Sequence, residues 1–124
     1  MPKLLLSILI TLLPTLSVAD LPLTGRYTTV SESECNYELI LDRNGTGKFI
    51  DTCRREDGSH IDDIKTFPLT WQRQNNKLTI VFNKKTEFFT YHDKLPCHPF
   101  GEKGAGKGLV GYGTRFWKTP IDCQ

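Results

Sequence analysis

The feature that most constrains the fold of this chain is an alternation of apolar and polar residues with a period of two. Such alternation indicates β-strands with one buried face and one wet face, and no window shows a sustained helical stripe. Polar turn sequences, such as 42–46, separate the alternating segments. The sequence therefore predicts an all-β fold, a small antiparallel meander that forms a barrel or a sandwich of about six to eight strands. The inward positions that the alternation indicates are Tyr37, Leu39, Leu41, Phe49, Leu69, Trp71, Leu78, Ile80 and Phe82.

Three segments carry further expectations about the strands and loops. The charged segment 54–65 is expected to form an exposed loop. The segment 93–108, which contains two prolines and four glycines, is expected to form a long irregular loop. A final strand is expected over 109–118. The longest predicted loop and the last predicted strand therefore both lie in the C-terminal third of the chain.

The N-terminal segment has the organisation of a signal peptide. Lys3 precedes an apolar run at 4–13, and Ser17-Val18-Ala19 provides a small-residue cleavage site. An uncleaved anchor is the alternative, although the apolar run is short for a membrane span. We therefore expect residues 1–19 to be a signal peptide and residues 20–124 to form a single β domain. The mature protein is expected to be periplasmic or secreted, with no stable membrane span after cleavage.

All four cysteines lie after the predicted cleavage site, where an oxidising compartment would pair their thiols. They are Cys35, Cys53, Cys97 and Cys123. No two of them have C-x-x-C or zinc-ligand spacing, which argues against a redox or metal site. Two structural disulfides are the prediction.

Hairpin geometry favours one of the three pairings that four cysteines allow. A three-residue loop at 43–45 places Cys35 opposite Cys53 on the inward face, whereas a two-residue loop would place Arg54 there. With the three-residue loop, the predicted disulfides are Cys35–Cys53 and Cys97–Cys123.

The formal net charge is +2, and this near-neutral balance argues against nucleic acid as the main partner. Basic residues are concentrated from Lys94 to Lys118, where Glu102 is the only acidic side chain. These lysines are interpreted either as solvated loop residues or as a contact surface. Tyr112 and Trp117, which flank Arg115, are interpreted as core residues, as barrel-closing residues or as an exposed contact set. The partner-binding residues that we predict are Lys103, Lys107, Tyr112 and Arg115.

Two motifs are similar to catalytic or metal-binding sequences. The segment 101–108 has the G-x-x-x-x-G-K spacing of a phosphate-binding loop, but Gly108 replaces the Ser or Thr that would hold magnesium. His92, Asp93 and His98 lie close together, although their spacing matches no metal or catalytic motif. We therefore expect no enzyme activity, no metal and no cofactor. The segment 101–108 is interpreted as a flexible cationic contact loop.

Several short motifs resemble those of lipocalins and other calycin-type barrels. Gly25-Arg26-Tyr27 resembles the start of a first lipocalin strand, with Tyr27 at the position of a tryptophan. Hairpin sequences at 39–47 and 69–78 and a late Arg115 add to the likeness. The resemblance implies a small lipocalin-like barrel, secreted or periplasmic, in which Arg115 packs over Tyr27.

Together these observations predict a secreted or periplasmic non-catalytic binding module. It would act on a protein or an envelope component, in the manner of an inhibitor or immunity-type protein. The alternative is a lipocalin-like carrier that holds a small hydrophobic ligand inside the barrel. An enzyme assembled around His92, Asp93 and His98 is the third hypothesis, and it requires these side chains to converge on a concave site.

Overall fold

The computed structural model describes residues 23–30, 34–54, 62–97 and 104–121, and the predicted signal peptide at 1–19 lies outside them. These ranges hold eight strands: β1 (Gly25–Thr28), β2 (Cys35–Leu41), β3 (Thr46–Arg54), β4 (Asp62–Gln74), β5 (Lys77–Phe82), β6 (Lys85–Pro96), β7 (Ala105–Gly111) and β8 (Thr114–Lys118). Each strand pairs antiparallel with the next, and β1 also pairs with β8. The sheet therefore closes into an up-and-down barrel, which confirms the predicted all-β antiparallel fold. In the described part of the chain no helix is long and apolar enough to cross a membrane.

The barrel interior is filled by apolar side chains that come from every strand. The nine positions predicted to face inward all belong to this core, with Tyr37 partly buried and the other eight buried. The rings of Phe49 and Phe82 stack with their centroids 4.1 Å apart. The structure adds the core residues Leu23, Tyr27, Phe89, Tyr91, Leu109 and Phe116. The interior is thus a packed core.

The β2–β3 hairpin has the three-residue loop that the sequence predicts. The Asp42 amide donates a hydrogen bond to the Thr46 carbonyl oxygen over 2.8 Å, and Gly45 has a φ of 80°. The Trp71 indole N–H donates to the carbonyl oxygens of Asp42 and Thr46 at 3.0 and 3.1 Å. The loop and its register are therefore held in place by a core side chain of β4.

The register of this hairpin brings Cys35 directly opposite Cys53, and the two residues form a disulfide. The predicted Cys35–Cys53 bond is confirmed. Cys97, at the end of β6, is buried and is also disulfide-bonded. Its predicted partner, Cys123, lies outside the described residues.

The expectation of an exposed loop over 54–65 is wrong at both of its ends. Strand β3 continues to Arg54 and β4 begins at Asp62, while residues 55–61 lie outside the described ranges. The ladder places Arg54 opposite Asp62 and Asp51 opposite Lys65. Cross-strand pairs of opposite charge stabilise an exposed hairpin. A run of charged residues therefore does not mark a loop here, because both faces of this part of β4 are exposed.

The C-terminal expectations are also corrected by the structure. The predicted single strand at 109–118 is a hairpin, since β7 and β8 are separated by a turn at Tyr112 and Gly113 with φ values of 56° and 72°. Two consecutive residues with positive φ give a turn that matches the twist of a hairpin, and tyrosine is not a usual residue for it. The predicted loop at 93–108 is strand at both of its ends, because β6 extends to Pro96 and β7 begins at Ala105, while residues 98–103 lie outside the described ranges.

Close packing explains why the glycine-rich segment forms a strand. A Cβ atom at Gly108 would lie 2.5 Å from the Phe116 carbonyl oxygen and 2.6 Å from the Leu95 side chain. The space next to this backbone is already filled by neighbouring strands, so only glycine fits. Glycine at this position indicates a close approach between strands and not a loop.

Two tyrosines on the inward face resist ionisation. The Tyr27 hydroxyl donates a hydrogen bond to the Leu23 carbonyl oxygen over 2.8 Å. Burial raises the pKa of Tyr27 far above its usual value, and Tyr91 raises it further. Burial, followed by Asp93, raises the pKa of Tyr91 to about 12. The Arg73 guanidinium, 6.0 Å from the centroid of the Tyr91 ring, offsets part of both increases.

We expect the free energy of unfolding to fall as the pH rises from 10 to about 12. The pKa of Tyr91 is higher in the folded state, so its contribution to stability is complete below the unfolded value of 10.0 and is lost as the pH rises through about 12. The tyrosinate absorbance is measured against pH for the wild type and for Tyr91→Phe, and the difference between the two curves gives the ionisation of Tyr91. A difference that titrates at pH 10 while the circular dichroism stays native would contradict the expectation.

Candidate functional site

A β-bulge in the β6–β7 ladder opens the candidate site. His92 pairs with Gly108, and the next regular pair is Leu95 with Gly106, so β6 has one more residue than β7 in this interval. The extra residue leaves the bulge at Asp93 and Lys94 outside the regular ladder. Bulges bend a strand and re-aim its side chains, and they are frequent next to binding sites.

The bulge also turns the end of β6 onto the outer wall of the barrel. Strict alternation would put Leu95 on the same side as Tyr91, whereas Leu95 packs in a second cluster with Cys97, Trp117 and Val110. The Trp117 indole N–H donates a hydrogen bond to the Leu95 carbonyl oxygen over 3.3 Å. This cluster fixes the end of β6 against β8.

A cleft of about 460 Å³ lies between the bulge, the start of β7 and the end of β8. Asp93 and Lys94 line it from the bulge, 105–107 from β7, and 117–121 from β8 and the chain that follows. The Thr119 amide and hydroxyl both donate to the Arg26 carbonyl oxygen, at 2.8 and 3.2 Å, and so hold this last segment against β1. We call this site the cationic cleft.

Lys118 is the most constrained of the lysines in the cationic cleft. It is half-buried, and its stem lies across Gly25, where a Cβ atom would come within 3.0 Å of Lys118 Cε. Gly25 has a φ of 135°, a conformation that side chains rarely adopt. Burial lowers the pKa of Lys118, and the charge of Lys107 lowers it further. Lys107 and Lys118 both line the cationic cleft.

The charge of the cationic cleft suits an anionic ligand group. Among the described residues of the lining, Lys94, Lys107 and Lys118 stand against one carboxylate, that of Asp93, so these residues carry two net positive charges. Asp93 also approaches the buried Tyr91 hydroxyl, but among the described residues no hydrogen bond of normal geometry satisfies that hydroxyl. Nonpolar atoms of Ala105, Trp117, Pro120 and Ile121 complete the lining.

Tyr112 covers the core at the opposite end of the barrel. Its ring packs edge-on against Tyr37, Phe49 and Phe82, with centroid distances of 5.2, 5.4 and 5.8 Å. The side chain is still 38% exposed. Burial raises the pKa of Tyr112, and Tyr37 and then the carboxylate of Asp51 raise it further. The Tyr112 ring thus separates this end of the packed interior from the solvent.

The structure does not bring the four predicted partner-binding residues together. Lys107 lies in the cationic cleft, and Tyr112 lies five residues further on in the turn after β7, about 16 Å away along an extended chain. Arg115 is exposed on the outer wall, since its neighbour Phe116 faces inward. Lys103 lies outside the described residues. Partner binding by each of these residues stays a prediction.

Neither Lys118 nor the bulge lysine, Lys94, is among the four partner-binding residues predicted from the sequence. Both lie in the basic segment that the sequence revealed, but their convergence depends on the bulge and on the pairing of β8 with β1. One pattern could have indicated Lys118, namely the alternation of Phe116 with Lys118, which places both side chains on the inward side of β8.

The other sequence motifs give no second site among the described residues. The His92 ring forms a hydrogen bond with the Thr90 hydroxyl over 3.0 Å, and Asp93 lies in the cationic cleft. His98, the third residue of the predicted cluster, lies outside the described residues. Residues 101–103 of the phosphate-loop-like segment also lie outside them. Asp51 approaches Cys35 and Cys53 closely enough for a metal site, but both sulfur atoms are committed to the disulfide.

The contact that the lipocalin resemblance implies between Arg115 and Tyr27 is wrong. Tyr27 is fully buried inside the barrel, and Arg115 lies on the outer face of the sheet, opposite Val110. The arginine whose charge acts on Tyr27 is instead Arg73, at the end of β4. The sheet wall separates Arg115 from Tyr27 because adjacent residues of β8 face opposite sides.

The fold and the site define a small closed eight-stranded antiparallel barrel with a packed interior and a cationic cleft at one rim. Comparison of the chain with protein-family models, with curated proteins and with solved structures finds no match in any of the three.

We expect Tyr112→Ala to destabilise the protein by about 2 kcal/mol, because the substitution removes three aromatic contacts and uncovers the core. Tyr112→Phe is the matched control, since it keeps the ring and should change stability by a small fraction of that amount. Urea denaturation followed by circular dichroism measures both. Equal stability of Tyr112→Ala and the wild type would show that the ring does not close the barrel.

Proposed function

We propose that this protein is a non-catalytic binding module that contacts a protein or an envelope component through the cationic cleft. The observation that carries the proposal is the position of three lysines in one half-open cleft, with nonpolar groups beside them. Convergent charged groups with an apolar wall are the usual composition of a binding site. An inhibitor or immunity-type role suits the rigid barrel that presents this cleft.

Rigidity of the scaffold supports recognition without catalysis. The barrel has no free sheet edge, and the Cys35–Cys53 disulfide ties its β2–β3 hairpin. A preorganised surface loses less conformational entropy when a partner binds. The disulfides also support the proposed periplasmic or secreted location, because such bonds persist in oxidising compartments.

The carrier hypothesis receives less support from the packing of the interior. Ten large side chains are less than 2% exposed, among them Tyr27, Phe49, Phe89 and Phe116. Small barrels either fill with side chains or hold one ligand, and a filled interior favours binding at the rim. The eight-stranded antiparallel barrel is consistent with the lipocalin likeness in architecture, and kinship with calycins stays a proposal.

Partner capture tests the proposed function. The immobilised mature protein is used to capture components from native extracellular extract, in parallel with Lys107→Glu/Lys118→Glu. The matched control is Lys48→Glu/Lys77→Glu, which reverses two exposed charges outside the cleft. A component retained by the wild type and the control should be retained at least about tenfold less by the cleft variant, because the two introduced glutamates repel the anionic groups of the partner.

Two further readouts complete the capture experiment. Thermal unfolding of each variant confirms that the barrel has formed. Capture should weaken as the salt concentration rises, since screening reduces charge attraction. Equal capture by the wild type and the cleft variant would remove the cationic cleft as the contact surface.

A further inference from the structure

We infer that the cationic cleft binds an organic phosphomonoester, with the phosphate group between Lys107 and Lys118 and the nonpolar group against Pro120 and Ile121. This inference rests on the proposed function, because it assigns a ligand class to the same cleft. The charge, the shape and the preorganisation of the cleft support this ligand class.

Charge favours a dianion over a single carboxylate. The described residues of the lining carry two net positive charges, and a phosphomonoester carries about −1.5 to −2 at pH 7. Lys107 and Lys118 line the same cleft, and burial and then the charge of Lys107 lower the pKa of Lys118. A bound dianion would neutralise both charges, whereas a carboxylate would neutralise one. Lysine is also a common point-charge ligand for phosphate.

Shape and polarity favour an organic substituent on the phosphate. The cleft volume of about 460 Å³ exceeds what a bare phosphate needs and lies in the usual range of small-molecule sites. Ile121 is 37% exposed, and Pro120 lies next to it on the same wall. A nonpolar group that covered these side chains would gain from removal of apolar surface from water.

Preorganisation separates this cleft from an ordinary cluster of surface lysines. The Lys118 stem is seated over Gly25, with Cε 3.0 Å from the position of a Cβ atom. Lys118 is the last residue of β8, and the next residue, Thr119, donates two hydrogen bonds to the carbonyl oxygen of Arg26 in β1. The bulge at Asp93 and Lys94 interrupts the β6–β7 ladder opposite Lys107. Strands β1, β6, β7 and β8 therefore all shape the site.

Hexyl phosphate is the probe, and its titration is followed by the NMR signals of the Lys118 side chain. We expect saturable binding and an increase in the pKa of Lys118, because a nearby negative charge favours the ammonium form. Hexyl sulfate and hexanoate, each with a single charge, should bind at least about fivefold more weakly, as should inorganic phosphate, which lacks the apolar group.

Variants test the residues that the inference names. Lys107→Met and Lys118→Met keep the stems and remove the charges, and each should weaken hexyl phosphate binding by about tenfold or more, as expected for a charge-assisted hydrogen bond. Lys48→Met is the matched control and should bind as the wild type does. Gly25→Ala retains every charge but displaces the Lys118 stem, so it should also weaken binding; thermal unfolding checks that this variant folds.

Vesicles distinguish two sources of the same ligand chemistry. Binding to phosphatidic acid in phosphatidylcholine vesicles, absent with phosphatidylcholine alone, would assign the phosphate to a lipid headgroup. Binding of hexyl phosphate without vesicle binding would assign it to a soluble phosphomonoester. Either result supports the phosphate site.

Three results would overturn the inference: no saturable binding of hexyl phosphate, equal binding of hexyl sulfate, or unchanged affinity in both lysine variants. These results do not depend on partner capture. If hexyl phosphate fails while capture still requires Lys107 and Lys118, the ligand class is wrong and the proposed binding function stands.

Discussion

Closure of the barrel between β1 and β8 is the interaction on which the rest of the structure depends. The ladder at this seam is short, with Tyr27 opposite Lys118 and Thr28 opposite Trp117. Thr119 extends it with two hydrogen bonds to the Arg26 carbonyl oxygen. Without this seam, two strand edges would be unpaired and the core residues Tyr27 and Phe116 would lose part of their cover. The same seam positions Lys118 over Gly25, so the integrity of the fold and the geometry of the cationic cleft have one origin.

The parts of the fold that were predictable from the sequence are those governed by local patterns. Alternation identified the inward residues of β2 to β5, since a period of two follows directly from strand geometry. The loop at 43–45 fixed the hairpin register, and the register brought Cys35 opposite Cys53. The loop and the two cysteines were sufficient to predict the disulfide, because β2 and β3 are consecutive strands joined by a short loop.

The cationic cleft was not predictable by the same means. An extra residue in one strand of a ladder has no signature of its own, because it is defined only by the partner strand. The turn at Tyr112 and Gly113 lacks the usual asparagine or glycine at its first position, so β7 and β8 were taken for one strand. Glycines of β7 indicated a loop, whereas Gly108 is required by the nearby Phe116 carbonyl and Leu95. Long-range packing decided each of these features.

We propose that the bulge at Asp93 and Lys94 shapes the binding site of this barrel. Deletion of Lys94 tests it most directly, because the ladder could then continue from His92 to Leu95 without an extra residue. Lys94→Ala is the matched control, since it removes the same charge and keeps the bulge. The affinity for hexyl phosphate is measured in both variants, with thermal unfolding to verify the fold. We expect a folded deletion variant that binds at least about tenfold more weakly than Lys94→Ala. Equal affinity of the two folded variants would contradict it.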